Sequence, residues 1–291
     1  MSFKGINGKR VTLENYKDLY KEYPVDILDE IRSAVLDDTP IHDFIEPCVN
    51  DSYKLGQVRM ALREGIPIAF LRTYLTSKTL YNIRQAAKRD IDMSDLLVYY
   101  ERLEPSTIEV LSEAILSGVD ISRIDFRDVP MNLVSHFTTG LKKGYPMWLL
   151  VQPGVRMTDS KITLLMRGLS LKVDVSQLLS DDWEDDVLVL LFSYAKTVDI
   201  NAVLRYITPK FSVDVIRELL DLLSEGVDIR RLVVRDADGY PIYNSCQIYA
   251  LGKAIKEGTV IDSMFNPNLS DWDMTQLALW KKNRLASSEE S

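Results

Sequence analysis

Residues able to move protons or hold a metal are few in this chain. His42 and His136 are its two histidines. His42 falls in a short predicted helix and His136 beside Phe137 in a long one, and neither adjoins a recognisable nucleophile motif, so both read as packing or surface residues. The acidic run Asp181, Asp182, Glu184, Asp185 and Asp186 could bind a cation or imitate phosphate charge. Carboxylates gathered in a first helical turn are also what the helix dipole favours, and capping is the simpler role. Asp236-Ala237-Asp238-Gly239 is half of a calcium loop. It lacks a third acidic ligand before the glycine and a closing Glu, and reads as a turn. Cys48 and Cys246 lie far apart with no CxxC or CxxH spacing, which argues against a disulfide framework or zinc site and for reduced thiols. The expectation is a non-enzymatic protein with no catalytic residues, no metal and no cofactor.

Charge distribution carries more information than any of these motifs. Net charge is −8, which disfavours non-specific attraction to phosphate backbones or anionic membranes, although a local patch can override the total. Between Gly140 and Lys172 the charged residues are Lys142, Lys143, Arg156, Lys161, Arg167 and Lys172 against Asp159 alone, and the next stretch reverses sign at Asp181, Asp182 and Glu184. If these side chains converge, a basic ridge beside an acidic one would suit an acidic protein or a nucleic-acid backbone, with Trp148 as a stacking or hot-spot anchor. If they point various ways, they form a solvated outer face. A second basic series, Arg59, Arg63, Arg84, Lys88 and Arg89, is interleaved with Glu64 and Asp90 and reads as surface.

The elements that must position these residues follow one repeated phrase, clearest from Phe211 to Leu232. Ser212 is a good N-cap, and Ile216, Leu219, Leu220 and Leu223 fall on one helical face. Gly226 can end that helix in the left-handed conformation, Val227 can fold back apolar, and Asp228 can cap a shorter second helix. The helix-ending position recurs at Asp38, Gly65, Asp90, Gly118, Gly144, Lys172, Thr197, Gly226 and Gly258, about 28 residues apart. Two residues later comes mostly Asp (Asp92, Asp120, Asp174, Asp199, Asp228) or Pro (Pro40, Pro67, Pro146), two solutions to the same helix-start problem, with Val260 the exception. Expected caps for the long helices include Ser106 with Glu109, Thr158, and Ser270 with Asp273. The run Val187 to Phe192 is apolar nearly all round, as for a helix sandwiched between neighbours.

The sequence therefore predicts an all-α solenoid of about nine long-helix/short-helix repeats in one domain over residues 1–286. Residues 1–23 would be an N-terminal cap, 24–264 the repeats, 265–286 a closing helix and 287–291 a polar tail. The 46% hydrophobic share is ample for a continuous core. The N-terminus lacks an apolar signal region and no apolar run is long enough to span a bilayer, so a cytoplasmic protein with no membrane contact is expected.

The phrase of a long apolar-faced helix closed by Gly and followed by Val-Asp-Ile-Ser or a variant resembles helix-pair repeats of Gram-positive bacteria, their phages and mobile elements. More loosely, over about residues 24 to 285, it resembles HEAT-like solenoids. The resemblance implies an α-solenoid in a setting of bacterial genetic conflict or mobility, and the wide surface of a solenoid suits recognition of a macromolecule: a protein partner, as an adaptor or as a phage or mobile-element inhibitor of a host complex. Nucleic-acid binding along 142–172 is the alternative. Oligomeric state is left open.

Overall fold

The computed structural model describes residues 3–5, 8–151 and 156–289. The sequence reads as one repeat domain; the chain divides into two compact units, Met1–Val151 and Gln152–Ser291. The first unit opens with a two-residue antiparallel pair, β1 (Phe3–Lys4) and β2 (Arg10–Val11). The helices that follow in this unit are α1 (Tyr16–Leu19), α2 (Val25–Asp37), α3 (His42–Ile45), α4 (Ser52–Arg63), α5 (Ser77–Ala87), α6 (Ser94–Leu97), α7 (Pro105–Leu116) and α8 (Val134–Lys142). The second unit contains α9 (Asp159–Ser170), α10 (Asp185–Tyr194), α11 (Ile200–Val203), α12 (Val213–Ser224), α13 (Ser245–Lys256) and α14 (Asp271–Glu289). The fold is all-α. Among the described residues no helix is long and apolar enough to cross a membrane.

Each long helix packs on the next long helix of its unit. In the first, α2 meets α4, α4 meets α5, α5 meets α7 and α7 meets α8; in the second, α9 meets α10, then α12, α13 and α14 follow in turn. On α12 Ile216, Leu219 and Leu220 of the expected face are buried, each worth about 1.5–3 kcal/mol when removed from water, while Leu223 is half-buried and Val215 and Leu222 join the core. Its N-terminus is closed by the Ser212 hydroxyl, which accepts from the Val215 N–H at 3.3 Å.

The helix endings are the strongest regularity. Eight of the nine expected positions, all but Thr197, have positive φ, including the non-glycines Asp38 (57°), Asp90 (54°) and Lys172 (62°). At each of the eight, the N–H of the following residue donates to the carbonyl five residues back at 2.9 to 3.0 Å: Thr39 to Ala34, Ile66 to Ala61, Ile91 to Ala86, Val119 to Ala114, Tyr145 to Gly140, Val173 to Gly168, Val227 to Leu222 and Thr259 to Ala254. This double-bonded reversal satisfies carbonyls that the helix leaves open and turns an apolar residue back onto the last turn. Seven of the eight acceptor residues are Ala or Gly, because the returning chain lies against that position. Thr197 departs because the Val198 N–H bonds to Tyr194, four residues back, without a left-handed residue.

Several expectations need correction. The expected second helix is a single turn where it forms, α-helical in α3, α6 and α11 and 3-10 at Ile68–Phe70, Met147–Leu150, Val175–Leu178 and Asp262–Phe265; after Gly118 and after Gly226, where Asp228 is the expected cap, the chain makes non-helical turns instead. A few residues between a cap and the next breaker cannot offset helix nucleation. Ser106 does not cap α7. Glu104 precedes it with Pro105 in the first turn, and Glu109 accepts instead from the Thr76 hydroxyl at 2.6 Å. α10 is not enclosed all round, since Val189 stays 44% exposed. The expected caps at Thr158 and at Ser270 with Asp273 do form.

Candidate interaction surface

The long helices are tied side by side by polar contacts in a fixed register. Arg59, six residues before the Gly65 break, donates from Nε to Glu30 at 2.8 Å and also pairs with Asp37, both on α2. Arg84 stands six before the Asp90 break. It reaches Gln57 Oε1 at 2.7 Å and both Glu64 carboxylate oxygens, at 2.9 and 2.6 Å, on α4. At the same place on α7, Ser112 accepts from Asn82 of α5 at 2.9 Å. Nearer the breaks a second rung forms from Arg63 to Asp37 (3.3 Å), Lys88 to Glu64 (3.2 Å) and Lys256 to Glu225 (2.7 Å). The Arg84 guanidinium holds the Glu64 carboxyl below its ordinary range. The second basic series is therefore largely cross-helix structure: Arg84 is buried, and Arg59, Arg63 and Lys88 are paired. Sequence reasoning missed this, although the shared spacing of Arg59 and Arg84 from their breaks was the available signal.

In the first unit Lys142 and Lys143 end α8, both exposed. Lys142 edges an open groove of 240 Å³ between α7 and α8, with Glu113, Ser117, Ser135 and Thr139. Trp148, in the turn after the Gly144 break, is 38% exposed, and the Arg123 guanidinium lies over its ring at 4.8 Å. A cation held on an aromatic face makes a rigid contact element with one apolar and one charged side. Arg123 was not singled out from sequence. It occupies the corresponding turn of the preceding repeat, five residues after Gly118.

In the second unit the basic and acidic residues partly consume one another. The Arg156 backbone N–H donates to the Asp181 carboxylate at 3.1 Å while its side chain is exposed. Lys161 is buried, 5% exposed; its Nζ donates to the Ser180 carbonyl at 2.7 Å and lies 3.6 Å from Asp181. It is an internal tie rather than part of a basic face, because the first helical turn of α9 points it at the following loop. Arg167 and Lys172 are exposed, the latter in the left-handed break. Asp182 accepts from the Ser180 hydroxyl (2.8 Å), Asp185 from Ser160 (2.5 Å), and Glu184 leads into α10 at its N-cap with no side-chain cap bond. Of the loop VQPGVRMTDS, residues 152–155 lie outside the described residues.

The remaining chemical candidates are engaged locally. Asp236 Oδ1 accepts from the N–H groups of Asp238 and Tyr240, which builds the turn read from sequence. His42 Nε2 is 3.1 Å from Asp43 on the one-turn helix α3, and its buried Nδ1 has no hydrogen-bond partner. Burial raises the Cys48 thiol above its ordinary range, and Cys246 is exposed. Among the described residues, no three or more His, Cys, Asp or Glu side chains gather where they could hold a metal ion. The arrangement offers contact surface: exposed Tyr53, Tyr81 and Tyr249 on long helices, and the Arg123–Trp148 pair in the first unit. No family model, curated protein or solved structure matches this chain.

Proposed function

We propose that both units are runs of one helix-pair repeat, an α-solenoid architecture, and that the protein works without catalysis by holding a protein partner against exposed repeat surfaces. The supporting observation is the helix ending that recurs in phase eight times, built on unlike residues but with the same pair of backbone bonds. A surface assembled from repeated short units is broad and semi-rigid, which suits recognition of a large partner. In the first unit the Arg123–Trp148 pair is the anchor of that surface, with Lys142 and Lys143 as nearby candidates for acidic side chains of the partner. An adaptor and an inhibitor of a larger complex use the same contact chemistry, and either role fits.

The nucleic-acid reading is weaker. Of the cations it invoked, Lys161 is buried and held by the Ser180 carbonyl and Asp181, so one charge fewer is offered to phosphates. A mobility-shift assay at two salt concentrations separates the readings: steep loss of binding with salt and with K142E/K143E supports nucleic acid, and no shift at low salt removes it. Co-purification from the native host tests the protein reading. A partner retained by the wild type and lost with both W148A and R123A supports it, and a partner indifferent to both variants refutes this assignment of the surface.

A further inference from the structure

α14 has two faces of different character. Met274 is buried against the α13 side, with Leu277 and Ala278 half-buried. The face turned away from Met274 carries Trp272 (65% exposed), Gln276, Leu279 (46%) and Asn283, with Leu279 at the edge of the groove against Tyr249 and Lys253 of α13, and is flanked by Trp280 (51%) whose ring lies under the Arg284 guanidinium at 5.1 Å. Residues 272, 276, 279 and 283 are spaced four, three and four, the seam spacing of a two-helix coiled coil.

Another repeat of the same kind would not fit this face. Glu225 of α12 receives Lys256 of α13, and Glu257 of α13 receives Lys282 of α14 at 3.0 Å. The residue of α14 in line to continue that rung is Asn283, which has no charge to offer a following helix. The face is nevertheless self-complementary. Asp271 and Asp273 stand at its first turn, and Lys281, Lys282 and Arg284 lie toward its far end. Two such helices laid antiparallel set acid against base at both ends, while Trp272 meets Asn283 and Gln276 meets Leu279 across the seam.

The geometry points to a two-fold dimer of this chain formed by antiparallel pairing of α14 with the α14 of a second copy. The helix is about 28 Å long at 1.5 Å per residue. One such pair buries less than the roughly 800 Å² per partner of a standard interface, so the dimer is reversible and micromolar in class. Gln276 and Asn283 make the seam mixed rather than fully apolar, which keeps the pairing weak, and the acid-to-base match at both ends sets its direction. This inference is separate from the protein-binding role and survives its failure.

Sedimentation equilibrium of the full chain from low to high micromolar concentration tests it. The expected result is a monomer–dimer equilibrium whose Kd rises about tenfold or more in L279K and in W272A, with the helical circular dichroism unchanged. Having two variants covers the case in which one perturbs folding. Orientation is read by disulfide trapping in a C246S background: Q276C mixed with L279C should give the linked heterodimer in preference to either variant linked to itself. A monomer at all concentrations, a dimer indifferent to both substitutions, or preferential self-linking of Q276C would overturn the proposal.

Discussion

Leu222 of α12 occupies the space that Gly252 of α13 leaves open: a Cβ added at Gly252 would overlap the Leu222 side chain. Leu222 is also the one acceptor residue among the eight repeated endings that is neither Ala nor Gly. The larger side chain on α12 is thus matched by the missing one on α13. G252A should destabilise the second unit by about 1–3 kcal/mol through overpacking, and L222A by about 2–5 kcal/mol through the cavity it leaves. The double variant should lose less than the sum, which a urea-unfolding double-mutant cycle measures.

Backbone strain at the non-glycine breaks predicts a gain. Lys172 holds φ of 62° at a helix ending, where a side chain costs on the order of 1 kcal/mol. K172G should raise stability by roughly 0.5 kcal/mol once the extra freedom of the unfolded chain is subtracted. G226A should lower it by about 1 kcal/mol. T197G should not stabilise, because Thr197 is not left-handed. Thermal midpoints of the three variants against wild type check the set.

Acid should loosen the repeat turns. Hydrogen bonds from the Ser94, Ser122 and Ser176 hydroxyls and backbone N–H groups hold the Asp92, Asp120 and Asp174 carboxyls below their ordinary range. Arg230 holds Asp228 at about 2. A folded-state value below the unfolded one means the carboxylate form favours the native state. This contribution is complete above the ordinary Asp range and disappears as pH falls through the depressed values toward about 2. The thermal midpoint should therefore decline across that window, and D228N should flatten the part due to Asp228. A midpoint independent of pH there would contradict the role given to these turns.

The cross-helix rungs supply the last prediction. R84M leaves Glu64 without its main partner and Gln57 with an unmet amide oxygen, and should cost on the order of 2 kcal/mol. The Glu64 carboxyl should return toward its ordinary range, which carboxyl-resolved NMR titration reads directly.

Much of the backbone plan was legible in the sequence because it depends on local chemistry. Gly118, Gly144 and Gly226 announce left-handed endings with no knowledge of neighbours, whereas of Asp120, Asp174 and Asp228, read as caps of short helices, only Asp174 leads into a helical turn. Asp38, Asp90 and Lys172 were found by phase, and phase misled at Thr197, where a four-residue bond sufficed. What stayed hidden depends on contact between distant residues. Nothing adjacent to Lys161 says that Ser180 will claim it, nor does Arg123 indicate that it will cover Trp148. The Ala or Gly four before seven of the eight left-handed breaks was in plain view but acquires meaning only once the returning chain is seen to lie on it.

The rungs between Arg59 and α2, Arg84 and α4, and Asn82 and Ser112 make neighbouring modules alike in backbone yet keyed to particular positions in the chain. Were α7 spliced directly after α4, Ser112 would stand where a guanidinium is needed and Glu64 would go unanswered. Were α5 placed after α7, Arg84 would meet Val110, a side chain with nothing to accept its protons. Shuffling or duplicating segments of this protein therefore requires carrying both halves of each lock.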